Sequence, residues 1–201
     1  GRLAVLDEPH NLEEFPPRPM TTEETYMEGH GVFKATSGTN DGSNFAYRAF
    51  NKISFENGWH PVNHPDGRYT NSLYLGSLSN GGYSGDWIRL DTPYKIKLNE
   101  TVLYPRDHDT LYNRMPKKGV ILGSNDNGKT WELVHSWDNE TYQYFKEKRF
   151  MVNSNSYFQS FILVIQELET TGTSEPVNIG ELRFFGTREQ GQSVLHDGQL
   201  T

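Results

Sequence analysis

The side chains best suited to chemistry gather between residues 60 and 83: His60, Asn63, His64, Asp66, Arg68, Tyr69 and Tyr83. Imidazole, carboxamide and guanidinium groups can read the hydroxyls of a polar ligand, and planar side chains fix its orientation. His60-x-x-x-His64 with Asp66 also has the look of a metal cluster, since on a helix this spacing sets two imidazoles on one face. Pro61 and Pro65 exclude a regular helix here, so no transition-metal site is expected. Asp107-His108-Asp109 places acid and base groups side by side. No serine nucleophile elbow or glycine-rich phosphate loop accompanies them, and no carboxylate pair for glycoside hydrolysis can be assigned. The triplet is read as surface charge, and the chain is not expected to be an enzyme.

The composition narrows the function further. With 26 acidic and 19 basic residues in 201, the formal net charge is -7. Nucleic-acid affinity rests on phosphate neutralisation, so an acidic chain without a basic run is a poor nucleic-acid partner. Without cysteine, disulfides, thiolate metal sites and cysteine nucleophiles are excluded. No apolar stretch approaches the roughly 20 residues of a membrane span. Hydrophobic residues make up 34% of the chain, but 11 Tyr, 11 Phe and 4 Trp can build a core from few positions, because each aromatic buries a large area. The start at Gly1 rather than Met leads to the expectation of a processed or excised fragment. Asn99-Glu100-Thr101 and Asn139-Glu140-Thr141 are glycosylation sequons.

The elements that must position these groups read as strands. Val32–Ser37, Trp87–Asp91 and Tyr94–Leu98 alternate apolar and polar residues, the period of a half-buried strand, with a kink expected at Thr92-Pro93. Val102–Pro105 follows, then a long loop through Met115. Gly119–Gly123 reads as a buried strand, and Asn127-Gly128 supplies the positive backbone angles of a tight hairpin leading into Trp131. Phe158–Ile165 is the strongest buried run, and Glu181–Phe185 closes the series. Trp59 and Trp87 are read as core anchors. Residues 1–30, with Pro9, Pro16, Pro17 and Pro19, read as an extended arm lying on the domain or on a neighbour, or else as a free tail. Residues 188–201 read as a polar C-terminal tail.

Four blocks in order resemble the galactose-binding-like β-sandwiches, the discoidin or coagulation-factor C-type domains. They are Tyr47–Lys52 with Asn57-Gly58-Trp59, Gly85–Asp91, the strand–turn–strand Gly119–Trp131, and Asn178–Gly186. The resemblance spans about residues 31–187 and implies an all-β jelly-roll sandwich of about eight antiparallel strands. It is specific for fold and much less so for ligand.

By that resemblance, a structural calcium is expected in the turn after the first block, held by Asn51, Ser54, Asn57 and Glu181. Asn51 supplies a neutral oxygen where the family places an Asp, which weakens the expected site. The resemblance also implies a non-catalytic module binding a glycan or glycoprotein through end loops, with His60, His64, Arg68, Tyr69 and Tyr83 as candidate contacts. Surface recognition or adhesion, outside a cell or on a virion, would be its setting. The alternative is a structural subunit of a capsid or multi-subunit complex, docking to protein neighbours through residues 1–30.

Overall fold

In the central strands, apolar residues serve both faces of a sheet at once. In the computed structural model, which describes residues 12–62, 82–109, 112–170 and 177–189, the run read as most buried becomes β8 (Phe158–Leu168). Its Phe161, Leu163 and Ile165 enter the main core, while Ile162 and Val164 point the opposite way into a second cluster. A strand covered on both sides loses its polar alternation and reads as continuous hydrophobicity. Its neighbour β5 (Pro116–Ser124) divides likewise, Ile121 inward and Val120 and Leu122 outward.

The described residues form nine strands, the others being β1 (Glu13–Phe15), β2 (Glu24–Met27), β3 (Gly31–Ser37), β4 (Asp86–Pro105), β6 (Glu132–Trp137), β7 (Lys148–Met151) and β9 (Ile179–Arg188). All the pairings between them are antiparallel. The two runs expected on either side of Thr92-Pro93 are a single 20-residue strand, β4. Its first part pairs with β3 and β8, and its second with β9 and β7. The ladder to β8 shifts register between Asp91 and Ile96, where Pro93 has no amide to donate. At this point the strand passes from one layer to the other.

The two layers face each other through large side chains. Phe161 of β8 and Phe184 of β9 approach to 5.7 Å between ring centroids, and Phe50 lies 6.2 Å from Phe184. Phe33, Ile88, Leu90, Leu98, Leu103 and Leu182 complete this interior. Trp59 is fully buried as expected, locked by reciprocal backbone hydrogen bonds with Ile179 at 2.9 and 3.2 Å. Gly58 before it has φ +57°, and a Cβ there would lie 1.9 Å from the Ile179 carbonyl oxygen, so only glycine fits.

Within residues 12–30, β1 pairs with β9 and β2 with β3, and Phe15, Met20 and Met27 are buried, so this part of the expected arm lies on its own domain. One expectation is revised. Trp87 is not an interior anchor. Ile88 and Leu90 point inward, so strand parity turns Trp87 outward, where it packs half-buried against the second cluster.

Candidate functional site

The outward parity of β3 and β4 builds a groove of about 830 Å³ on the outer face of the first layer. Phe33 and Ala35 face the core, so Lys34 and Thr36 face out. On β4 the outward residues are Trp87, Arg89 and Asp91. Register aligns Lys34 opposite Asp91 and Thr36 opposite Arg89, with Ser160 of β8 on the other side of Asp91. Asn125, Asp126 and Asn127 from the β5–β6 turn and Gln159 close the rim.

The polar floor is held in place by its own bonds. Arg89 Nε donates to Asp91 Oδ1 at 2.9 Å, Nη2 donates to Asn127 Oδ1 at 3.0 Å, and the guanidinium lies over the Trp131 ring at 5.3 Å. Ser160 Oγ donates to the same Asp91 oxygen at 2.5 Å. The turn is equally fixed. Asn127 and Gly128 take the expected left-handed angles, φ 59° and 79°, and a Cβ on Gly128 would meet Arg89 Nη1 at 2.6 Å. Asn125 accepts a bond from the Gln159 amide at 3.0 Å and donates to the Tyr157 carbonyl at 2.8 Å. Bonds from the Thr130 hydroxyl and amide, and from Ser124, pull the Asp126 carboxyl down to about 2. Such a surface offers fixed donors and acceptors beside an indole, at a volume within the roughly 300–1,000 Å³ usual for ligand sites.

The sequence-derived ligand residues are not brought together within the described structure. His64, Arg68 and Tyr69 lie outside the described residues. His60 is 8% exposed. Its backbone is stitched to Asn44 and Asp41, and its Nδ1 sits 3.9 Å from Asp41 Oδ2. Burial, with the nearby Arg114 charge, holds its pKa below the ordinary histidine range despite Asp41. Tyr83 packs instead on the outer-face cluster, as Trp87 does. The groove residues escaped the sequence reading because strands carry no motif for them. The same-side spacing of Trp87, Arg89 and Asp91 was the available signal, but their partners are set only by register.

The four residues expected to hold calcium do meet around one turn, but one oxygen of each already accepts a hydrogen bond. Asn51 Oδ1 accepts from the Ile53 amide at 3.0 Å, Ser54 Oγ from Arg183 Nη2 at 2.8 Å, the Asn57 carbonyl from Asn178 Nδ2 at 2.6 Å, and Glu181 Oε1 from the Lys52 amide at 3.0 Å. Glu181 Oε2 is buried without a hydrogen-bond partner, as are the neighbouring Glu14 Oε1, Lys52 Nζ and Arg183 Nε. Burial pushes the Glu181 carboxyl above the usual range, against the opposing pull of the Lys52 amide and of the Lys52 and Arg183 charges. Calcium asks for roughly six to eight oxygens. As arranged, this set does not fit it.

No protein-family model matches the sequence, and no curated protein matches it. Solved structures do. A CBM32 module of a family 31 glycoside hydrolase from Clostridium perfringens is similar at TM-score 0.56 and 15% identity, over 77% of this chain and 91% of that one. The chain has the antiparallel β-sandwich fold of such modules. Two further structures from the same organism align at TM-score 0.50. One is a CBM32 module of the GH89 enzyme in complex with GalNAc-β-1,3-galactose, at 19% identity over 76% of this chain and 94% of that one. The other is the family 32 module of NanJ in complex with galactose, at 15% identity over 76% and 93%. At these identities the likeness establishes the β-sandwich fold alone.

Proposed function

We propose that this chain is a non-catalytic carbohydrate-binding module and that its glycan lies in the outer-face groove. The observation that carries this reading is the prearranged Arg89–Asp91–Asn127 set beside Trp87. A sugar hydroxyl both donates and accepts. Arg89 and Lys34 offer donors and Asp91 an acceptor, and an indole suits the C–H face of a pyranose ring. Because Asp91, Asn127 and Trp131 already fix Arg89, little side-chain freedom is lost on binding.

The groove also argues for binding rather than hydrolysis. Of its two carboxylates, Asp91 is ion-paired to Arg89 at 2.8 Å, and Asp126 is held ionised by its hydrogen bonds. A general acid must carry a proton at working pH. Recognition of glycans outside the cell accords with this reading. The assembly alternative is not favoured, since the described part of the N-terminal segment is spent on pairing within its own sandwich.

A glycan array followed by calorimetry on the best ligand tests the reading. Binding by the intact chain, weakened about tenfold or more by Trp87→Ala (about 1.4 kcal/mol), is expected. Absence of binding to any glycan, or full affinity in Trp87→Ala, would contradict it.

A further inference from the structure

The turn expected to hold calcium meets two cations, its own Lys52 and Arg183 of β9. Arg183 Nη2 donates to the Lys52 carbonyl at 3.3 Å and to Ser54 Oγ at 2.8 Å. Its Nε lies 3.5 Å from Glu14 Oε1 and 3.9 Å from Glu181 Oε1. The Lys52 ammonium sits 3.2 Å from the same Glu14 oxygen, and the Lys52 amide holds Glu181. Tyr104 backs the guanidinium at 4.9 Å. Two carboxylates and two basic groups are thus interleaved among atoms of the turn, β1 and β9.

We infer that Arg183, assisted by Lys52, does in this chain what a divalent ion would otherwise do: it binds the oxygens of the 51–57 turn, offsets Glu181, and fastens the turn to β9. Two observations and one chemical argument converge on this. The carboxylate expected at position 51 is a neutral Asn whose oxygen is spent on Ile53 within its own loop. The guanidinium bonds a turn carbonyl and the Ser54 hydroxyl, which are calcium-type donors. A planar, permanently charged fork suits the task better than a mobile ammonium. Glu14 extends the device by drawing β1 into the same cluster, so the N-terminal strand is tied to a turn far along the chain. The inference is independent of the glycan reading, because no residue of the turn lines the groove.

The test is thermal unfolding of the full chain after metal stripping, in excess EDTA and in millimolar calcium chloride, with a calorimetric titration of calcium. The wild-type chain is expected to melt at the same temperature in both media and to take up no calcium. Arg183→Met is expected to melt roughly 5 °C or more lower in either medium, and Lys52→Met lower by a smaller margin. A wild-type melting temperature that falls on chelation, or calcium uptake by the wild type, overturns the inference. So does an Arg183→Met chain as stable as the wild type. Should Arg183→Met not fold, the wild-type arms and Lys52→Met still decide, and an unshifted Lys52→Met removes that residue from the device.

Discussion

Asn127, at the left-handed tip of the β5–β6 turn, accepts a hydrogen bond at 3.0 Å from Arg89 in the middle of a sheet face. The turn therefore acts as a brace for the groove floor and is more than a connection between strands. Its own stability comes from Asp126 and Ser124, while Asn125 ties it to the start of β8.

Gly128→Ala tests the brace. A Cβ would collide with Arg89 Nη1 and would sit at φ +79°. The expected cost is about 1–2 kcal/mol of stability, together with weaker ligand binding, because the guanidinium must move. Urea unfolding and calorimetry on the same sample check it; unchanged affinity would show that Arg89 does not depend on the turn.

The three hydrogen bonds that the Asp126 carboxylate accepts set its pH behaviour. Its pKa is depressed to about 2 by the Thr130 side chain first, then by the Thr130 amide and Ser124. A group whose folded pKa lies below its unfolded value of about 3.8 stabilises above that value and loses the contribution as pH falls towards 2. An NMR titration should place the Asp126 midpoint near 2 in the wild type and nearer the ordinary aspartate value in Thr130→Val. Equal midpoints would remove the hydrogen-bond explanation.

The two tryptophans of the first two resemblance blocks should behave oppositely. Trp59 is fully buried and bonded through its backbone and its indole N–H, so Trp59→Ala is expected to cost about 3–5 kcal/mol. Trp87→Phe should leave the melting temperature nearly unaltered. On the proposed reading, it should also abolish the fluorescence change expected when a glycan is added to the wild type. A large loss of stability in Trp87→Phe would return that residue to a structural role.

Phe161→Ala removes a ring that meets both Phe158 and Phe184. A loss of about 3–5 kcal/mol is expected from transfer and cavity terms together, measured by chemical denaturation. A loss below about 1 kcal/mol would mean that the two layers do not meet at this ring.

Much of the architecture was legible because it rests on local signals. Phe158–Ile165 had the hydrophobicity of a strand buried on both faces, and Asn127-Gly128 the chemistry of a left-handed turn. What escaped was non-local. Thr92-Pro93 read as a break, whereas the strand continues and only its partners change there. The short strands Glu13–Phe15, Glu24–Met27 and Lys148–Met151 are too brief to show a period and gain their identity from neighbours. Lys34 and Asp91 are 57 positions apart, and only the β3–β4 register sets them opposite each other. The loop chosen as the ligand face was visible from its side chains, while the groove needed the sheet to exist first.

Since β4 contributes to both layers and changes partners at a single proline, neither layer can come apart while the other keeps all its pairings. Heating should therefore give one all-or-none transition with matching calorimetric and van't Hoff enthalpies, and cutting the chain within β4 should disable both halves together.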